Sequence, residues 1–336
     1  MNIDRKEFLR TLEACSPGIS KVDSLEQSNC FAFAPGRVST YNEEVACFAS
    51  VPVDLVCAVP ARPLLETLRK LSEDEIDVSL TSERLMLKCH GMRRIGITVH
   101  ADVVQNAEMI PRANQWTDVA PAFADGLAMV AECAAKESEN FSWTCVEIGP
   151  KGMQATDGYQ AIRYKVESPL ERSFLIRRES CVAVAGLGVA GIHVSDDWFG
   201  MKTYTGLEVY VRKYTDEFPE LGEVFASEEV ASLRFPPGLL DACQKALPFL
   251  AETPTGKQVV LRLKPGKMMI HAANMNGFFE EIRDIEYQGP ARSFALNPKY
   301  IQSLLKYDHP CHLGQNTVKL RGDSFALVAS LESAVS

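Results

Sequence analysis

Three short stretches of the chain hold residue types that could do chemistry. Gly186, Gly188 and Gly191 form a Gly-x-Gly-x-x-Gly string. Such a string binds a dinucleotide when it follows a strand and opens a helix, because the helix N-terminus then meets the pyrophosphate. Here the next residues, Ile192-His193-Val194-Ser195-Asp196-Asp197, read as a strand entering a turn. The string is therefore expected to be a glycine-rich helix C-terminus and turn. His309, Cys311 and His312 are close enough to suggest a metal. Pro310 interrupts them, though, and no second ligand pair stands at a spacing that would close a four-ligand shell, so a surface turn is expected. Asp157 in Ala155-Thr156-Asp157-Gly158 offers a carboxylate, but an Asp-Gly pair between two strands is the sequence of a tight turn. No Gly-x-Ser-x-Gly elbow, His-Glu-x-x-His pair or phosphate loop is present. These readings imply no catalytic residue, no metal and no cofactor.

The elements that would carry these residues repeat. One plan, an amphipathic helix, a hairpin, a second amphipathic helix and further strands, recurs three times at a spacing of roughly 114 residues. Phe8, Leu9 and Leu12 follow Asp4, an N-cap candidate; Phe123, Leu127, Val130 and Ala131 follow Asp118, which lies 114 positions further on. Leu239, Leu240, Cys243 and Leu247 follow Pro236-Pro237, placed as prolines of a first helical turn. Alternating segments then read as half-buried strands: Cys30–Ala34 with Val45–Ser50, Trp143–Ile148 with Ala161–Val166, and Val259–Leu263 with Met268–Ala272. Second helices are expected from Pro63 with Leu64, Leu65 and Leu68, over Arg177–Leu187, and from Asn297-Pro298 with Ile301, Leu304 and Leu305. Strands such as Arg84–Cys89, Glu208–Val211 and Phe325–Ser330 complete the three copies. The fold class is α+β, in three modules over 1–116, 117–226 and 227–336, with joints in Ala101–Thr117 and the acidic stretch Asp216–Glu229.

Composition agrees with soluble modules. The chain is 46% hydrophobic over 336 residues, enough for two or three ordinary cores. No apolar run approaches a bilayer span and the N-terminus has no signal-peptide pattern, so a cytoplasmic protein is expected. Ten cysteines include no Cys-x-x-Cys pair and mostly sit in apolar stretches, as reduced core residues do.

Charge is more suggestive. The net charge of −9 argues against nucleic acid when taken alone. Yet the helix faces opposite the apolar stripes carry Lys6 and Arg10, Arg62 and Arg69, Lys136, Arg177 and Arg178, Lys245, and Lys299 and Lys306. Six equivalent helices facing one lumen would sum their fields. Glu7, Glu13 and Glu66 on some of the same helices work against this, and each cation by itself is an ordinary solvated residue.

The three copies of about 112 residues, with Val59-Pro60-Ala61-Arg62, Ala155-Thr156-Asp157-Gly158-Tyr159, Glu217-Phe218-Pro219-Glu220 and Phe294-Ala295-Leu296-Asn297-Pro298-Lys299-Tyr300 in this order, resemble the bacterial-type sliding clamp. That family is the beta subunit of replicative DNA polymerase, and the resemblance runs the length of the chain. It implies a ring closed by a head-to-tail homodimer, enclosing double-stranded DNA without sequence preference. DNA contact would fall to Lys6, Arg10, Arg62, Arg69, Lys136, Arg178, Lys245, Lys299 and Lys306. It also implies a pocket for a short, mostly apolar peptide of the polymerase or clamp loader, at Trp143, Thr156, Gly158, Tyr159, Gln160 and Ala161, with Ala326 and Val328. The chain departs from the family in four places. Ala101-Asp102-Val103-Val104 stands where a Phe-Pro is usual, and Ile19-Ser20-Lys21-Val22-Asp23 replaces a Leu-Pro-rich segment. Tyr159-Gln160-Ala161 replaces His-Arg-Leu, and Val328-Ala329-Ser330-Leu331-Glu332 replaces Met-Pro-Met-Arg-Leu. The last two changes fall in the peptide pocket, as in a divergent clamp of the kind a phage could encode. Two other readings stay open: a clamp-like interaction or transcription-coupling factor that is not loaded on DNA, and a nucleotide-binding enzyme using the glycine string.

Overall fold

The computed structural model describes residues 1–21, 25–89, 93–104, 106–250 and 257–334; Val22 and Asp23 of the segment that replaces the Leu-Pro run lie outside them. Among the described residues, seven α-helices and four antiparallel sheets make an α+β architecture. The chain groups into two compact units, one of Met1–Glu132, Glu147–Lys151 and Glu167–Asp216, the other of Cys133–Val146, Gly152–Val166 and Glu217–Ser336.

The helices form where apolar residues recur on one face behind a cap. In α1 (Arg5–Ala14) the Asp4 carboxylate accepts the Glu7 backbone N–H at 2.7 Å, and Phe8 and Leu12 are buried. In α2 (Ala61–Lys70) Leu64, Leu65 and Leu68 go inside, each full burial contributing roughly 1.5–3 kcal/mol. The middle helices are α3 (Ala122–Ala131) and α4 (Arg178–Val184), followed by a short α5 (Gly222–Ala226). The last two are α6 (Leu239–Ala246) and α7 (Pro298–Leu305), where Asn297 caps by accepting the Lys299 N–H at 2.9 Å. The pairs α1 with α2, α3 with α4 and α6 with α7 pack together.

Two expected helix starts are corrected. Asp118 does not cap α3; it ends a short strand, Thr117–Asp118, pairs with Gly191, and leaves Pro121 at the helix start. Pro236 and Pro237 stand before α6, whose N-cap is Gly238 in the left-handed region at φ +76°. Proline cannot supply that conformation, and glycine adopts it without a Cβ clash.

In the first unit eight strands run in the spatial order Cys57–Pro60, Cys30–Ala34, Arg37–Tyr41, Val45–Ser50, Glu208–Arg212, Trp198–Thr203, Val189–Val194 and Thr117–Asp118. A second sheet there joins Asn2–Asp4, Glu75–Leu80, Arg84–Lys88 and Arg94–Thr98. The second unit repeats the idea with Gly152–Thr156, Gln160–Tyr164, Phe325–Ser330, Thr317–Arg321, Cys311–Leu313 and Ala231–Leu233 in a row. Its other sheet runs Gly277–Asp284, Lys267–Asn274, Val259–Lys264, Arg292–Leu296 and Glu332–Ser333. Arg37–Tyr41 separates Cys30–Ala34 from Val45–Ser50, and Gly152–Thr156 precedes Gln160–Tyr164, so both expected hairpins contain a strand that the periodicity does not reveal. Each long sheet has a seam where strands remote in sequence meet: Val45–Ser50 with Glu208–Arg212, and Gln160–Tyr164 with Phe325–Ser330.

Candidate functional site

The Asp-Gly pair makes a fully hydrogen-bonded turn beside the second seam. Asp157 Oδ1 accepts the backbone N–H of Tyr159 at 3.1 Å and of Gln160 at 2.9 Å, and Thr156 Oγ1 donates to the Gln160 carbonyl at 2.7 Å. Asp157 Oδ2 accepts from Lys299 Nζ at 2.8 Å. Both oxygens of this buried carboxylate are engaged, Oδ1 by the turn and Oδ2 by Lys299. Gly158 is required twice over: its φ is +88°, and a Cβ would stand 2.4 Å from the Trp143 ring. On α7, Tyr300 stacks on Tyr159 at 6.5 Å between centroids. Burial, and then the Asp157 carboxylate, hold the Tyr300 phenol above its ordinary range, so it stays protonated.

The turn is one wall of an apolar cavity of about 170 Å³. Trp143, from the tight helical turn Phe141–Thr144, lines it with Thr156, Gly158, Tyr159, Gln160 and Ala161. Val328 and Ser330 line it from the strand Phe325–Ser330, and Pro219, Leu221 and Val224 complete the lining. Tyr159 and Val224 are 39% and 37% exposed, large apolar groups left at the rim. Of the eight residues expected at a peptide pocket, seven line this cavity and Ala326 does not. Sequence reasoning missed Pro219, Leu221, Val224 and Ser330, although Phe218-Pro219 was among the motifs that carried the resemblance.

Ala326 lines a neighbouring cavity of about 330 Å³ that shares Val328 and contains Arg163, Lys165, Lys319 and Arg321 with Asp323 and Phe225. Phe225 and Val224 both belong to α5, so this short helix stands between the two cavities. Lys319 is 1% exposed, and its ammonium donates to the carbonyls of Phe225 (3.0 Å) and Ser227 at the end of α5. Burial lowers its pKa from the ordinary lysine value.

The basic residues expected to face DNA are mostly ion-paired. Lys6 lies 2.7 Å from Asp74, Arg62 is 2.9 Å from Glu66 and Arg69 is 2.8 Å from Glu13. Arg178 is 3.8 Å from Glu179, Lys245 is 2.7 Å from Asp241 and Lys299 is 2.8 Å from Asp157. Arg10 and Lys136 are exposed, and Lys306 Nζ lies 6.0 Å from the Tyr307 ring centre. Lys136 follows the end of α3 and is not on a helix face. The pairs of Lys6, Arg62, Arg69 and Lys245 join exposed side chains and hold weakly, whereas the Asp157 partner of Lys299 is buried.

The other candidates fall into plain structural places. Gly186 and Gly188 have φ of +84° and +68° just past α4, and the strand Val189–Val194 takes in Gly191, so the string opens no helix. Cys311 is buried in a strand, His309 meets the Phe325 ring edge-on, and His312 faces Glu229 at 3.3 Å. No group of three or more metal-ligating side chains is gathered among the described residues. All ten cysteines are buried and none is in a disulfide, and burial raises the thiols of Cys47, Cys243 and Cys311 to about 12.

No family model and no curated protein matches the sequence. Solved structures match over nearly the whole chain. The DNA polymerase III beta subunit of Thermotoga maritima superposes with a TM-score of 0.82 at 14% identity, covering 99% of both chains. The chain has the sliding-clamp fold. A sliding clamp (DNA polymerase III subunit beta) of Pseudomonas aeruginosa bound to griselimycin gives 0.80 at 16% identity, and the beta chain of Streptococcus pneumoniae gives 0.80 at 15%, each again covering 99% of both chains. In this clamp fold the apolar cavity sits against the second seam, where the turn at Asp157 and the segment Pro219–Ala226 converge.

Proposed function

We propose that the chain is a DNA sliding clamp, a non-catalytic processivity factor that holds a replicative polymerase on duplex DNA in the cytoplasm, at the nucleoid or a phage replication site. The carrying observation is that the clamp likeness takes in 99% of both chains. On this reading the modules are 1–116, 117–226 and 227–336, and two copies close a six-module ring head to tail. Each unit offers an edge strand for that closure. Arg94–Thr98 carries Arg94 opposite Lys88, with Arg84 opposite Thr98 at its other end, whereas Gly277–Asp284 carries Glu280, Glu281 and Asp284 with Phe278 and Ile282 exposed. An unpaired edge with exposed apolar side chains is the kind of surface a second copy covers.

Lys6, Arg10, Arg62, Arg69, Lys136, Arg178, Lys245, Lys299 and Lys306 would face the DNA through weak, salt-sensitive contacts with phosphate. The polymerase and clamp loader would dock a short apolar peptide in the cavity of Trp143 and Tyr159. No cofactor or metal takes part in this role. Light scattering at micromolar concentration should report close to twice 37.1 kDa, electron microscopy should show a ring, and the protein should be retained on nicked circular DNA. A monomer at every concentration would sink the ring. The pairing of Lys6, Arg62, Arg69 and Lys245 with carboxylates favours a second reading, a clamp-fold interaction factor that is not loaded on DNA. A dimer that is lost from nicked circles as fast as from linear DNA would select it.

A further inference from the structure

The two seams share a turn and a register, which lets their residues be compared position by position. Asn42 Oδ1 accepts the N–H of Glu44 (3.2 Å) and Val45 (2.8 Å), as Asp157 Oδ1 does for Tyr159 and Gln160. Val45 therefore corresponds to Gln160, and Phe48, three residues further along, to Arg163. Across the seams Phe48 faces Glu208 and Arg163 faces Ala326. In the first seam a joint residue, Arg112, lies over the Phe48 ring at 5.0 Å and closes two hydrogen bonds to Glu208, at 3.0 and 2.9 Å. In the second the parts are exchanged: the strand supplies Arg163 and the joint supplies Phe225, with the guanidinium 4.6 Å from the ring centre. At the position facing Arg163 the second seam has no carboxylate. Ala326 occupies the position of Glu208, and Arg163 is held instead by the neutral Gln154 at 2.8 Å. The 330 Å³ cavity beside Ala326 is lined by Arg163, Lys165, Lys319 and Arg321 against one acidic side chain, Asp323, while Arg321 also meets Glu229, outside the lining, at 2.7 Å.

We infer that this basic cavity receives an acidic residue of the partner peptide whose apolar residues fill the neighbouring pocket, the incoming carboxylate taking the place that Glu208 holds in the first seam. The inference rests on the reading of the apolar cavity as a peptide pocket. Val328 lines both cavities, so one short peptide spans them, and its acidic residue stands within a few positions of its apolar anchor. In a chain of net charge −9, a local cluster of cations is also a selective device, since it prefers acidic partners while the rest of the surface repels them.

The test uses the full chain and fluorescence anisotropy with labelled peptides built on a Leu-Leu-Phe core. One carries Asp-Glu on both flanks, the other Asn-Gln. The acidic peptide should bind about tenfold more tightly at low salt, and the advantage should shrink as salt rises. Lys165→Gln with Arg321→Gln, both at exposed positions, should remove most of the advantage and leave the neutral peptide unchanged. Ala326→Glu, which restores the carboxylate of the first seam, should do the same. Equal binding of the two peptides by the unaltered protein would overturn the inference and leave the pocket standing. Binding of neither would overturn the pocket itself, and the inference with it. A short duplex whose binding depends on Lys165 and Arg321, while the peptides bind alike, would give the cavity to phosphate instead.

Discussion

At the first seam Tyr210, Phe48 and Ala46 are buried together with Trp198, Ala107 and Ile110, and Trp116 and Tyr41 pack against them. At the corresponding positions of the second seam stand Val328 for Tyr210, Arg163 for Phe48 and Thr317 for Trp198. The strand pairing is the same; the side chains over it are not. Large rings and the joint Ala107–Trp116 fill the first groove, and the Tyr210 hydroxyl accepts the Ala113 N–H at 2.9 Å while donating to Glu208 at 3.2 Å. Smaller residues leave the second groove partly empty. A duplicated joint of this kind can be spent on stability in one copy and left available for binding in the other.

Four substitutions would break or sharpen that contrast. Tyr210→Ala should have the largest effect, about 3–5 kcal/mol in urea denaturation, because it empties a packed aromatic site and strands two polar partners. Peptide binding should survive it; a cost below about 1 kcal/mol would mean the first seam is not the structural one. Gly158→Ala comes next. The strained backbone and the collision with Trp143 should cost about 1–3 kcal/mol of stability and also distort the pocket, which a neutral apolar peptide would report as weakened binding. Tyr159→Ala should leave folding within about 1 kcal/mol of the parent, since the ring is partly exposed, yet cost about 1–2 kcal/mol of peptide affinity. Equal affinities would show that the second groove is not where the peptide sits.

The smallest effect concerns alkaline pH. Burial raises the Tyr210 phenol to about 12, above the usual 10 of an unfolded chain. The protonated form is the one the fold favours, so its contribution is complete below pH 10 and is lost as pH rises from 10 to about 12. Tyr210→Phe should remove that part of the alkaline loss in thermal melts, at the expense of about 1 kcal/mol at neutral pH for the missing hydrogen bonds. Buried thiols add a further loss from pH 9 upward in both units, Cys57 (raised to about 11) and Cys47 in the first, Cys243 and Cys311 in the second (each raised to about 12), and all four are common to Tyr210→Phe and the parent.

The helices were legible because their signals are local. Phe8 and Leu12 lie one turn apart behind Asp4, and Asn297-Pro298 places a cap and a first-turn proline side by side. Asp118 misled because its equivalence to Asp4 is real only as a strand end; Val119, Ala120 and Pro121 then delay the helix. Arg37–Tyr41 escaped notice because its buried centre, Val38-Ser39-Thr40, is mostly polar, with Thr40 donating to the Cys15 carbonyl at 2.7 Å, and so shows no apolar alternation. The turn at Asp157-Gly158 was legible as a turn, and the resemblance pointed to the residues beside it. That Ala326 belongs to a different cavity depends on the position of α5, which no periodicity encodes.

What the sequence by itself determined is whatever depends on neighbours within a turn or a hairpin: the helix stripes, the caps at Asp4 and Asn297, and the glycine demanded by the Asp157 turn. Charges were equally plain as an inventory. Only the tertiary structure decided which of them meet, setting Arg69 against Glu13 and Lys299 against Asp157, because each pair joins residues far apart in the chain. The same holds for the two seams. Whether a groove is filled or left open depends on the volumes of side chains brought together from strands and joints remote in sequence, and close packing is a property of that assembly rather than of any segment in it.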